Sequence, residues 1–143
     1  ISVTRLGEHQ MVMHMNEHQA LDLWRRTIVR GVRDDVPDLS TRQMAILLTV
    51  YLTSPPHTVR GLANTLGVSK PAVTRALDRL SELGLARRKT DEKDRRSVLI
   101  QRTPGGNSFL RTYGETIVSS SRDVTVHGQY DIDTMDEGIR LHA

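Results

Sequence analysis

Residues 58–103 read TVRGLANTLGVSKPAVTRALDRLSELGLARRKTDEKDRRSVLIQRT. Thr58 is placed to cap a helix whose inward face would be Val59, Leu62, Ala63 and Leu66. Gly67 ends it, because a residue at the C-terminal boundary of a helix often needs a positive φ that glycine adopts without strain. Val68 is apolar and suited to plugging the junction. Ser69 then caps a second helix from Lys70 to about Gly84, with Pro71 in the first turn, where a missing amide hydrogen costs nothing. A helix, a glycine turn and a capped helix make a helix-turn-helix plan.

The second helix predicts two unlike faces. At 100° per residue, Val73, Ala76, Leu77 and Leu80, with Leu83 at the margin, form an inward arc. Pro71, Thr74, Arg75, Asp78, Arg79 and Glu82 lie outward. A short, polar N-terminal half suits entry into a DNA major groove, where arginine can bond a guanine edge with both prongs. Arg75 is the candidate for base reading, and Ser69, Lys70 and Thr74 can reach bases or phosphates. The alternative is a solvated face on which Arg75 and Arg79 pair with Asp78 and Glu82.

The segment after this helix favours DNA. Gly84 breaks the helix, and residues 85–89 and 97–102 read as two strands, the second rich in β-branched and aliphatic side chains. Between them Thr90-Asp91-Glu92-Lys93-Asp94-Arg95-Arg96 has no apolar residue to bury. A hairpin tip carrying Arg95 and Arg96 suits a narrow minor groove, where the negative potential is deepest, and Asp94 could hold a guanidinium in position. Directly after a helix-turn-helix, such a hairpin reads as a wing.

Charge is distributed accordingly. Residues 58–103 hold eleven Lys/Arg against five Asp/Glu, a net of +6, while the rest of the chain holds nine against twelve, a net of −3. A pI near 9.7 with a net charge of +3 says little by itself. The clustering on one unit is the footprint expected where a polyanion docks. At 143 residues the chain suits one domain, and 26% charged with 37% hydrophobic residues argues for a folded protein. Without cysteine there is no disulfide, thiolate nucleophile, Cys-ligated zinc or thiol switch. The longest strongly apolar run, Met44 to Leu48, is too short to cross a bilayer, and the first ten residues do not resemble a signal peptide. A cytoplasmic protein without membrane contact is the expectation.

The flanks are read more simply. Residues 1–15 show no clear period and are expected to form a loose arm. His9, His14 and His18 do not fall on one helical face, so solvated histidines are expected and no metal site. Asn16 can cap a helix over 17–33 whose Ala20, Leu21, Trp24, Ile28 and Val32 form an apolar stripe, to be buried in the same domain or against a second copy. Ser40 and Gln43 make a capping box, with Leu39 placed to staple on Met44, for a buried helix that Thr53-Ser54-Pro55-Pro56 stops. Thr103-Pro104 opens a last helix over 104–122, weakened at its start by Gly105 and Gly106. Residues 123–143 are a polar tail, with a short helical turn conceivable over Met135–Leu141.

These motifs resemble the MarR family of bacterial winged helix-turn-helix regulators. The likeness spans about residues 17–120. Its most specific parts are TVRGLANTLGVSKPAVTRALDRLSELGLARR and DEKDRRSVL, which follows the family's D-x-R/K-D-x-R wing pattern. The resemblance implies a mainly α fold with a small β-hairpin: a winged helix-turn-helix over 16–122, with the helix-turn-helix at 58–84, the wing at 85–103, and dimerisation helices at 17–33 and 104–122. It implies a homodimer on double-stranded DNA, with Ser69, Lys70, Pro71, Thr74 and Arg75 at the groove and Asp94, Arg95 and Arg96 at the wing. Arg79 joins this set from its place on the outward face. A small, often aromatic, effector that releases DNA is also implied, and Trp24, Tyr51 and Tyr113 are the aromatic residues that could line its cleft, or simply belong to the core. Arg102 departs from the family's usual apolar residue and predicts a more exposed wing base.

The functional expectation is therefore a sequence-specific transcriptional regulator, such as a repressor, with no cofactor. An enzyme is not expected: Asp91, Glu92 and Asp94 lie on a loop of charged residues, without a pocket or a nucleophile–base pair. A winged-helix module that binds protein instead of DNA is the alternative, and its basic wing would then have little purpose.

Overall fold

A computed structural model of the chain describes residues 2–6 and 10–124, with side chains from His14 onward. Its elements are β1 (Ser2–Leu6), β2 (Gln10–His14), α1 (Glu17–Arg33), α2 (Thr41–Leu52), β3 (His57–Thr58), α3 (Val59–Leu66), α4 (Lys70–Glu82), β4 (Ala86–Thr90), β5 (Val98–Arg102) and α5 (Pro104–Arg122). The chain divides into two compact units, one of Pro37–Thr112 and one drawn from the chain's two ends, up to Val36 and from Tyr113. The fold is mainly helical with a small winged sheet, as the motifs imply.

In the terminal unit the expected loose arm is instead an antiparallel hairpin, with Ser2 opposite His14 and Leu6 opposite Gln10. Val3, Thr4 and Val12 favour extended backbone, a propensity that a search for helical period or long alternation passes over. Asn16 caps α1 with a reciprocal box: its side chain accepts from the Gln19 amide at 2.8 Å, and the Gln19 side chain accepts from the Asn16 amide at 3.0 Å. The apolar stripe of α1 stays open, with Trp24 61% and Val32 76% exposed and Leu21 and Ile28 each near half. The polar residues 125–143, including Met135–Leu141, and His9 lie outside the described residues.

In the central unit every helix start obeys its local signal. Ser40 and Gln43 form the capping box of α2, Thr58 accepts from the Gly61 amide to cap α3, and Ser69 accepts from the Ala72 amide to cap α4. Gly67 adopts φ +65°, the left-handed conformation that lets the chain reverse between α3 and α4. The core gathers Ile46, Leu47 and Val50 from α2, Leu62 from α3 and Val73, Leu77 and Leu80 from α4, each at most 1% exposed. Burying side chains of this size contributes about 1.5–3 kcal/mol each, so these contacts hold the helix-turn-helix rigid.

The sheet has the order β3-β5-β4. Its two wing strands begin and end within one or two residues of their expected bounds, whereas β3, a two-residue strand in which Thr58 pairs with Leu99, has no signal of its own in the sequence. In the β4–β5 register Ala86 faces Arg102, Arg88 faces Ile100 and Thr90 faces Val98. Directly opposed residues share a face of the sheet. Ala86 and Ile100 are buried, so Arg88 points to the side on which the helices lie, while Arg87 and Lys89 point to the other.

Candidate nucleic-acid interface

The α4 helix separates its faces as its periodicity requires. Val73, Ala76, Leu77 and Leu80 are buried together with Ala72, whereas Lys70, Pro71, Arg75, Asp78, Arg79 and Glu82 are exposed and Thr74 is half-buried. The Ser69 hydroxyl oxygen is committed to the Ala72 amide at 3.3 Å, which orients the first turn. The amide-rich start of the helix and the positive end of its dipole thus open beside Lys70, a setting that attracts anions.

The solvated-face alternative holds only in part. Arg79 pairs with Glu82 at 3.6 Å, an exposed i, i+3 contact. Asp78 pairs with Arg88 of β4 at 2.6 Å and leaves Arg75 alone. Among the described residues Arg75 has neither an ion pair nor a side-chain hydrogen bond, and the same is true of Lys70, Arg95 and Arg96. An arginine with five N–H donors and no protein acceptor, set on a rigid outward face, is free to meet an external one.

Asp94 behaves differently from its expected part. Its carboxylate accepts from the backbone amide of Arg96 at 3.1 Å and from the Ser97 hydroxyl at 3.3 Å, and it pairs with neither arginine side chain. A short acidic side chain finds its own following amides sooner than it finds a mobile guanidinium, as in other Asx turns. Asp91 does the same for the Lys93 amide at 2.9 Å, and backbone bonds from Asp91 to Ser97 and from Ser97 to Asp94 close the tip. Asp94 therefore shapes the turn, and the turn presents Arg95 and Arg96.

At the wing base Arg102 is exposed, as its departure from an apolar residue predicts, but its guanidinium is engaged. Its Nε donates to the Val50 carbonyl at 3.0 Å and one Nη to the Thr53 carbonyl at 3.2 Å, while the guanidinium lies 5.8 Å from the Tyr51 ring centroid. These carbonyls are at the C-terminal end of α2, where orphan acceptors and a negative dipole end favour a cation. Tyr51 itself donates to the Leu85 carbonyl at 2.7 Å and accepts from the Thr103 amide at 2.8 Å. Its hydroxyl is thus occupied inside the lobe. Gly106 makes room for it, since a Cβ there would collide with both the Tyr51 hydroxyl and the Leu85 carbonyl oxygen. The two glycines that weaken the start of α5 are thus required by close packing, as a Cβ on Gly105 would also lie 2.9 Å from the Gly84 carbonyl oxygen. Thr103 offsets the weakness by capping, accepting from the Gly106 amide at 2.9 Å.

Arg88 and Asp78 carry no motif that singles them out. Strand parity could have found Arg88, because it stands two residues after buried Ala86 and so shares its side of the sheet.

Comparison with known proteins extends these observations. The sequence model of the MarR family matches residues 38–97. The HTH-type transcriptional regulator PecS of Dickeya dadantii (strain 3937) is 35% identical over 88 residues, covering 60% of this chain and 53% of PecS, so the chain spans about half the length of that relative. In three dimensions the chain is similar to the transcriptional regulator Tm0710 from Thermotoga maritima, with TM-score 0.63, 22% identity and 87% of each chain covered. It is similar too to MepR of S. aureus in a complex with DNA, with TM-score 0.60, 17% identity, and 87% and 90% of the two chains covered. At these identities the structural likeness speaks for the fold.

Proposed function

We propose that the chain, whose residues 38–97 match the MarR family, is a member of that family and a sequence-specific DNA-binding regulator of transcription that acts as a homodimer. One observation carries the reading. The cations on the outward face of α4 and at the wing tip, Arg75, Arg95 and Arg96, have no partner among the described residues, although nearby Arg79 and Arg88 do. Guanidinium groups without a protein acceptor suit a duplex: Arg75 reads a base edge, Lys70 and Ser69 meet phosphates, and the wing arginines enter a flanking minor groove. Pro71 and Thr74 bound the same surface, and Asp94 contributes by holding the tip.

The open stripe of Leu21, Trp24, Ile28 and Val32 on α1 supports pairing with a second copy, because contiguous apolar faces of this kind mark association sites. A two-fold dimer places its recognition helices about one DNA turn, roughly 34 Å, apart and so reads a pseudo-palindromic operator. Release by a small aromatic effector belongs to the same reading, with Trp24 and Tyr113 the aromatic candidates. The Tyr51 hydroxyl is already engaged. The test is a gel shift of the purified chain on genomic fragments at two salt concentrations, with sequencing of the retained fragments. A recurring inverted repeat, bound far above random DNA, is the expected result. Retention of no fragment, or of all fragments alike, removes the reading.

A further inference from the structure

We propose that Tyr51 and Arg102 are positioning residues that fix the angle at which the wing leaves the lobe, and that through this angle they decide where Arg95 and Arg96 meet DNA. The last clause rests on the reading given under Proposed function; the first does not.

The two strands of the wing have their roots at Ala86 and Arg102, which face each other in the register. One hydroxyl grips both sides of that root. Tyr51 Oη donates to the carbonyl of Leu85, immediately before β4, and accepts from the amide of Thr103, immediately after β5. Arg102, the last residue of β5, is bound in turn to the carbonyls of Val50 and Thr53 on either side of Tyr51 in sequence, with its guanidinium over the tyrosine ring. Arg102 thus joins the wing to the end of α2, and Tyr51 joins the end of α2 back to the wing. The buried Gly106 completes the arrangement by leaving space for the hydroxyl. By contrast, the tip is closed by hydrogen bonds among residues 91–97, so the direction of the arginines is inherited from the root.

Leverage makes the root matter. Five extended residues reach about 17 Å from root to tip, so a tilt of about 10° at the root moves the tip by about 3 Å. That is the length of a hydrogen bond, enough to carry Arg95 or Arg96 out of reach of a narrow groove.

The absence of cysteine from the sequence allows a clean measurement. Spin labels are attached to the full chain at Glu92→Cys on the tip and Asn64→Cys on α3, and their distance distribution is recorded by pulsed electron resonance, without DNA. The distribution is expected to widen by roughly two-fold in Tyr51→Phe and in Arg102→Gln, as leverage from the root requires. A control pair, Asn64→Cys with Glu82→Cys, reports on the helices alone and should keep its width. Two variants are used so that a failure of either to fold, seen in its thermal melt, leaves the other as the test. A tip distribution as narrow as the parent's overturns the proposal, and so does equal widening of both pairs, which would mean general loosening.

On DNA, the variants should lose most of the parent's preference for A/T-rich flanks while keeping the discrimination that depends on Arg75. Widening with an unchanged flank preference overturns the link to DNA. A parent that binds no DNA would refute the proposed function and leave the distance result standing.

Discussion

Nη2 of Arg88 donates to Oδ1 of Asp78 at 2.6 Å, joining the first wing strand to the outward face of α4 across ten residues of sequence. Both side chains are well exposed, so the pair contributes at most about 1 kcal/mol to stability. On the proposed DNA-binding reading its larger effect is electrostatic, because Asp78 sets a negative charge among the cations Lys70, Arg75 and Arg79 on the outward side of α4. Asp78→Asn is expected to leave the melting temperature nearly unchanged and to raise affinity for random DNA several-fold at low salt. Competition binding with random DNA measures the change, and an unchanged affinity would place Asp78 away from the duplex.

Arg75 and Lys70 should separate by kind of contact. Arg75→Ala is expected to cost about 1–3 kcal/mol at the operator and to relax one base position, whereas Lys70→Ala weakens all sequences alike and lowers the salt slope by about one. Binding titrations over a salt series, on operator and shuffled duplexes, check both.

Replacing Arg95 and Arg96 together by alanine should weaken binding most at operators with A/T-rich flanks, where the minor groove is narrow. Indifference to the flanks would remove the minor-groove role.

Ile28→Glu puts a charge in the middle of the open stripe of α1. If a second copy covers that stripe, the variant is a monomer in light scattering, and its melting temperature no longer rises with protein concentration as the parent's does.

Asp22 supplies a pH dependence. Hydrogen bonding from Arg26 holds its carboxyl below the usual range, with Arg25 adding to this and burial opposing it. A lowered folded-state pKa means a stabilisation complete above the ordinary value of 3.8 and lost as the pH falls through the folded value. The difference in melting temperature between the parent and Asp22→Asn should therefore be constant near neutrality and shrink in acid below that point.

The parts of this molecule that are legible in its sequence are those decided by near neighbours. Asn16, Ser40, Thr58 and Ser69 each cap the helix that comes next within three residues, and Gly67 needs only its own φ, so the helix-turn-helix can be read directly. The faces of α4 follow from its period alone. Arg102 cannot be read this way, because its acceptors are 52 and 49 residues away and lie at a helix end that only the folded chain brings near. Gly105 and Gly106 look like weak helix formers until Tyr51 and Gly84 are seen against them. Asp94, judged by charge, is a partner for a guanidinium, whereas its own turn offers the Arg96 amide and the Ser97 hydroxyl at shorter range.

The wing tip closes on itself. Its five bonds, from the Lys93 amide to Asp91, from the Asp91 amide to Ser97, from the Ser97 amide to Asp94, and from the Arg96 amide and Ser97 hydroxyl to Asp94, use only residues 91–97. Such a segment is an exchangeable cartridge: a heptad carrying other side chains, but keeping both aspartates and the serine, can be grafted without refolding what lies beneath it. On the proposed reading, flank preference can therefore diversify separately from half-site choice.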